Sequence, residues 1–187
     1  MKVKLNPMFE QVSGQLGEVV FREVRGKTVA SRKSAGSTAA PSENQVEHRE
    51  RFKLAAAYGK SALANADTRA LYAEAARNKN MPVFSLTVAD FFNAPVIDTL
   101  DLSAYNGQVG DLIQVSARDD FGVASVHVSI TDEQSNPIES GNAMETAEGS
   151  GRWVYTATTS LESNVIVKAV ATDRPGGTAV KTANKSF

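Results

Sequence analysis

The sequence predicts an α+β protein, in which an N-terminal β-hairpin with two or three helices precedes an antiparallel β-sandwich. Three observations predict it. Residues 18–24 (EVVFREV) and 27–32 (KTVASR) are β-branched runs flanking Arg25-Gly26. Residues 42–80 are alanine-rich and carry helix-cap signals. Beyond Ala94, short β-rich runs recur between Gly and Pro turns. The change of texture sets the expected boundary, with a basic hairpin-and-helix domain at 1–93 and an acidic sandwich domain at 94–187.

In the hairpin, Gly26 supplies the positive φ that a two-residue turn needs. Period-2 alternation puts Val20, Arg22 and Val24 on one face, and Val19, Phe21 and Glu23 on the other. Both faces carry apolar groups. A lone hairpin is marginal in water, so this one needs a cover, from its own helices or from a partner.

Residues 34–40 (SAGSTAA) read as a link of small polar residues. Ser42-Glu43-Asn44-Gln45 then fits a capping box, in which Ser42 bonds the Gln45 amide and the Gln45 side chain reaches back. The helix it opens should run over residues 43–64, with Val46, Phe52, Ala55, Ala56 and Leu63 inward. Asn65-Ala66-Asp67 offers a new cap, and a second helix follows over 68–78, stopped before Pro82. Residues 83–92 (VFSLTVADFF) fit a strand or a short helix, and so apolar a run should be buried.

Strands are expected at 112–117, 124–131, 153–158, 165–171 and 178–182. Val126, Val128 and Ile130 alternate with Ser125, His127 and Ser129, the pattern of a half-buried strand. So many short strands in about 90 residues suggest a sandwich.

Two segments carry a resemblance. Residues 111–130 (DLIQVSARDDFGVASVHVSI) and 165–180 (VIVKAVATDRPGGTAV) both read strand, Ala-x-Asp, Gly, strand. Together with Trp153 in GRWVYTAT, they resemble bacterial immunoglobulin-like and cadherin-like modules. The resemblance covers the last half of the chain and implies an Ig-like sandwich, a fold that hosts many functions. In the front half, Gly14, Gly17, Val19-Val20, Arg25-Gly26-Lys27, Val29, Arg32, Pro41, Gln45, Arg49 and Phe52 fall in an order similar to an uncharacterised family of Bacteroidetes and their phages. That likeness implies a particle or surface component.

Most catalytic chemistry is excluded by the residues present. The chain has no cysteine, which removes disulfides, thiolate metal sites and a cysteine nucleophile. Gly26-Lys27-Thr28 lacks the first glycine of a phosphate loop, Phe21 standing there, and Asp120-Phe121-Gly122 lacks every other kinase motif. The two histidines, His48 and His127, read as structural. No enzyme and no cofactor are expected.

Two sets of residues admit a ligand. Asp119, Asp120 and Asp173 would attract calcium if both Ala-x-Asp corners share one end of the sandwich. The ~6–8 oxygens that calcium takes do not appear as a compact run, so the aspartates read first as loop caps. Arg22, Arg25, Lys27, Arg32 and Lys33 form a basic ribbon that suits phosphate, yet Glu18 and Glu23 interrupt it. With Val20 and Phe21, these five residues make up the expected interaction surface.

Charge divides the chain as well. Residues 1–80 hold 14 Lys and Arg against 8 Asp and Glu, and residues 81–187 hold 6 against 13. Opposite halves suit head-to-tail attraction between copies. The expected function is therefore a structural or assembly subunit. It would dock through its hairpin onto another copy or particle protein and display the sandwich, in a phage-like particle or surface filament. The alternatives are a sandwich that binds a glycan or surface protein through Tyr105 and Phe121, and a nucleic-acid binder using the basic hairpin. No apolar run is long enough for a membrane span or a signal peptide. Synthesis in the cytoplasm is expected, with any release through a particle, lysis or a leaderless route.

Overall fold

A computed structural model describes residues 13–24, 26–35 and 40–187. Its residues group into two compact units, Met1–Val46 and Glu47–Phe187.

The first unit contains a three-stranded antiparallel meander, β1 (Gly14–Leu16), β2 (Val19–Val24) and β3 (Lys27–Arg32). The expected hairpin is β2–β3, with Val24 opposite Lys27 and Gly26 at φ +69°. Arg25, the other turn residue, lies outside the described residues. Strand β1 adds a second two-residue turn at Gly17-Glu18, where Gly17 has φ +57°. The link at 34–40 is likewise described only at Ser34, Ala35 and Ala40.

Helix α1 (Glu43–Ala64) begins at the expected capping box. The Gln45 amide donates to Ser42 Oγ at 3.4 Å, and the Ser42 amide donates to Gln45 Oε1 at 3.2 Å. Its inward residues are small ones, Ala55, Gly59 and Ala62, whereas Val46 and Phe52 are nearly half exposed. Helix α2 (Ala66–Asn78) starts at Asn65, whose side chain accepts the Thr68 amide at 2.9 Å. The ambiguous apolar run is helix α3 (Val83–Phe92). A strand would have placed Leu86, Thr87 and Asp90 on both faces, whereas helical spacing buries all three along one side.

Eight further strands form a sandwich of two four-stranded antiparallel sheets. One sheet has the order β4 (Val96–Asp101), β5 (Leu112–Arg118), β9 (Arg152–Thr156), β8 (Met144–Glu145). The other has the order β11 (Thr178–Lys185), β10 (Val165–Asp173), β6 (Val123–Asp132), β7 (Pro137–Asn142). Lettered in sequence, these are the A-B-E-D and G-F-C-C′ sheets of an immunoglobulin-like sandwich. Ile113, Val115, Val126, Val128, Ile130, Val165 and Val167 fill the space between the sheets and are at most 2% exposed. Along the side where β4 and β11 leave the sheets unjoined, Lys181 and Lys185 reach over to the carbonyls of Asp98 and Leu102.

The expected boundary at 93/94 falls inside the second unit, between α3 and β4. The helices carry a small apolar cluster, Ala62, Tyr72, Ala76 and Leu86, and Phe121 from the sandwich packs against it. Such a small cluster gains from borrowing apolar area.

Candidate functional site

Two places collect the residues that the sequence singled out. The first is the N-terminal sheet. Strand pairing puts Val20, Arg22, Val24, Lys27, Val29 and Ser31 on one face, and Val19, Phe21, Glu23, Thr28, Ala30 and Arg32 on the other. The basic ribbon is thus split between faces. Arg22 and Lys27 stand exposed beside the apolar Val24 and Val29, while Arg32 pairs with Glu18 at 2.9 Å on the opposite face. Lys33 lies past the strand end, its amide donating to the Glu18 carbonyl at 2.6 Å. Thr28 and Ala30 are buried and Val20, Phe21 and Val29 partly so, but Val19 and Val24 are 39% and 45% exposed.

The second place is the sandwich end formed by the β5–β6 and β10–β11 corners, where the two Ala-x-Asp motifs meet. Each aspartate caps its own loop. Asp119 Oδ2 accepts the amides of Phe121 and Gly122 at 2.9 and 3.1 Å. Asp173 Oδ1 accepts those of Gly176 and Gly177 at 2.7 and 2.5 Å. Glycine follows each aspartate for two reasons: Gly122 and Gly176 have φ of +153° and +100°, and at Gly177 the close approach leaves no room for a side chain. A Cβ on Gly177 would lie 2.5 Å from Asp173 Oδ2. Asp120 does something else. Its carboxylate accepts from the Asn93 side chain and its carbonyl from Lys79, which ties the corner to the ends of α2 and α3. Among the described residues no three acidic or histidine groups are placed to share a metal ion. Asp119 and Asp173 cap their own loops, whereas Asp120 bonds to the ends of α2 and α3.

A fourth carboxylate, outside the residues singled out from the sequence, joins them here. Asp90 of α3 is fully buried and accepts a hydrogen bond from the Tyr72 hydroxyl, which in turn meets the Tyr58 hydroxyl at 2.8 Å. Phe121 stacks on Tyr72 at 4.0 Å, and the Arg174 guanidinium sits over the Phe121 ring. Burial raises the Asp90 pKa to about 7. The Tyr72 hydrogen bond opposes the rise, and the neighbouring Asp119 and Asp173 charges add to it. Burial also raises Asp173, against the pull of its two glycine amides, and raises Tyr72. Three oxygens at this end, Asp90 Oδ1, Asp119 Oδ1 and Asp173 Oδ2, are buried without a donor. The signal for Asp90 was present as a lone carboxylate in a ten-residue apolar helix, four residues from Leu86 and three from Thr87.

Both aromatics proposed for ligand stacking are engaged internally. Tyr105 is fully buried against Phe187, and Phe121 is taken up by Tyr72. The histidines have structural partners. His48 stacks on Phe92 at 5.5 Å, and His127 shares a 3.0 Å hydrogen bond with Asn142 across β6–β7.

No family description matches the chain, and no curated protein matches it. Several solved structures resemble it in part. CopC from Methylosinus trichosporium OB3b matches at 16% identity and a TM-score of 0.37, over 48% of this chain and 89% of that one. A tetra-tandem repeat in the extending region of a large adhesion protein matches at 21% identity and a TM-score of 0.34, covering 51% of this chain. An engineered protein matches at 18% identity and a TM-score of 0.35, covering 55%. The chain spans only 24% and 26% of the last two. The front-half likeness to Bacteroidetes and phage proteins has no counterpart among these. No described helix is long and apolar enough to cross a membrane.

Proposed function

We propose that the chain is a non-enzymatic assembly subunit whose N-terminal sheet docks onto a second copy of itself and whose Ig-like sandwich is displayed. The observation that carries this reading is the three-stranded sheet, which has apolar residues on both faces. Leu16, Val19 and Val24 remain 75%, 39% and 45% exposed, and a ribbon of this size is marginal without cover. A second copy is favoured as the cover by the opposite charge of the two parts of the chain. Arg22 and Lys27 beside Val24 and Val29 form an apolar patch with a basic rim, which suits an acidic surface. A phage-like particle or a surface filament is the setting that fits such a subunit.

The binding-module alternative is weakened by the fold itself. Immunoglobulin-like domains that bind through loops use the B–C and F–G loops. Here those loops are the β5–β6 and β10–β11 corners, and the first is held by α2 and α3.

The test is light scattering with negative-stain imaging at low and high salt, on the wild type and on Val20→Ser/Val24→Ser. Discrete oligomers or filaments that the double variant abolishes are expected. A monodisperse wild-type monomer in every condition would overturn the reading. A salt-dependent gel shift with DNA or RNA, lost in Arg22→Glu/Lys27→Glu, would favour nucleic-acid binding instead.

A further inference from the structure

We propose that the joint between the helices and the sandwich is closed by a proton shared between Asp90 and Asp119, so that a rise from acid to neutral pH loosens the helices from the Ig-like corner. The groups facing Asp90 are Tyr58 from α1, Tyr72 from α2, Asp119 from the β5–β6 corner and Asp173 from the β10–β11 corner. Two are hydroxyls and two are carboxylates, and no buried cation is among them. Arg174, the nearest guanidinium, lies out over the Phe121 ring, 5.8 Å from its centroid.

The hydrogen-bond inventory requires a donor that the side chains do not supply. The Asp90 and Asp119 carboxyls are within hydrogen-bonding reach of each other. Each has one oxygen already satisfied, Asp90 by Tyr72 and Asp119 by two loop amides, and each has one buried oxygen with no donor. Two ionised carboxylates in this position would repel in a poorly screened site. One proton on the pair makes a donor for the orphan oxygens and removes half the charge. A metal ion is the other way to neutralise such a cluster, but no three acidic groups among the described residues are arranged to hold one.

The sign follows from the direction of the shift. The Asp90 carboxyl is held above its ordinary value, at about 7, so the stability it lends is full in acid and is lost as pH rises through that value. Between the ordinary aspartate value of 3.8 and about 7, each pH unit should raise the opening equilibrium of the joint about tenfold, and above about 7, where the carboxyl is ionised in both states, the opening levels off. What opens is defined by the contacts: Phe121 on Tyr72, and Asp120 on Asn93 and Lys79. The two pieces are otherwise joined covalently at residues 93–95, so opening is a swing and not a dissociation.

The experiment is native-state hydrogen exchange of the full chain from pH 4 to 9, corrected for intrinsic exchange, reading the amides of α2, α3 and residues 119–122. The wild type should lose protection by about tenfold per pH unit between the free aspartate value of 3.8 and about 7, and level off above, while the sandwich core keeps its protection. Asp90→Asn, which mimics the neutral acid, should hold its protection level across the range. A flat wild-type profile, or an Asp90→Asn profile with the wild-type slope, would overturn the proposal. So would closure of the wild type at pH 9 by millimolar calcium with calorimetric binding, which would assign the site to a cation. If Asp90→Asn does not fold, the wild-type Asp90 carboxyl 13C titration decides: a midpoint near 7 supports the shared proton, and one near the ordinary aspartate value of 3.8 overturns it.

Discussion

The N-terminal sheet and the sandwich follow the same alternation rule and reach opposite ends. In the sandwich, Val126, Val128 and Ile130 of β6 are fully buried, because a second sheet lies across from them. In the N-terminal sheet, Val19 and Val24 keep 39% and 45% of their surface, because three short strands have no second layer of their own strands. Alternation fixes which residues share a face. It does not say what covers that face. A region that hides its apolar side draws its stability from that burial, and one that leaves apolar groups in view on both sides draws less.

The comparison breaks first at the sandwich core. Trp153, 7% exposed on β9, has no partner for its indole N–H, so it is held by packing alone. Trp153→Ala should cost about 3–5 kcal/mol in chemical denaturation of the sandwich. Val24→Ala in the N-terminal sheet should cost well under half of that, since less of its side chain leaves water on folding. If the two losses were equal, the N-terminal sheet would have a core of its own, and the assembly reading would lose its motive.

A middle effect is expected where helices meet. Gly59 in α1 lies so close to α3 that an added Cβ would stand 2.5 Å from Thr87 Oγ1 and 3.1 Å from Phe84. Glycine to alanine in a helix normally gains about 0.8–1.0 kcal/mol. Overpacking against a fully buried, β-branched neighbour costs about 1–3 kcal/mol, so Gly59→Ala should be net destabilising. Thr87→Ala removes the clashing oxygen, and the double variant should recover part of the loss, a coupling that a thermodynamic cycle measures. A stabilised Gly59→Ala would mean that α1 and α3 are free to move apart.

The helices and most strands were legible because each rests on local chemistry. Ser42 and Gln45 announce α1, Asn65 announces α2, and β-branched alternation announces β5, β6 and β10. Three strands of the sandwich were not legible. β7 reads Pro-Ile-Glu-Ser-Gly-Asn, β8 has two residues, and β4 mixes two aspartates into its run. These are edge strands, where ladder bonds on one side suffice and side-chain propensity matters less. At the acidic corner, the sequence showed Asp119, Asp120 and Asp173 as a set, from the repeated motif. Asp90 was hidden by its neighbours, since its importance comes from α3 folding back on the corner, a contact of long sequence range. The exposed side of α1 misled in the same manner: Val46 and Phe52 look like core residues until Ala55, Gly59 and Ala62 take the inner face, the tightest approach being with α3.

The smallest effect sharpens the comparison from the other side. Arg32 and Glu18 form the clearest ion pair of the N-terminal sheet, at 2.9 Å, yet their side chains are 84% and 75% exposed. Exposed pairs gain little, because solvent screens the attraction and fixing two long side chains costs entropy. Arg32→Ala should leave the denaturation midpoint of the chain unchanged within error, at low salt as well as high. If the midpoint instead fell by as much as it does in Gly59→Ala, the sheet would depend on its rim charges. Its exposed valines would then not need a partner to account for its stability, and the search for a docking surface would move from the apolar face to the charged rim.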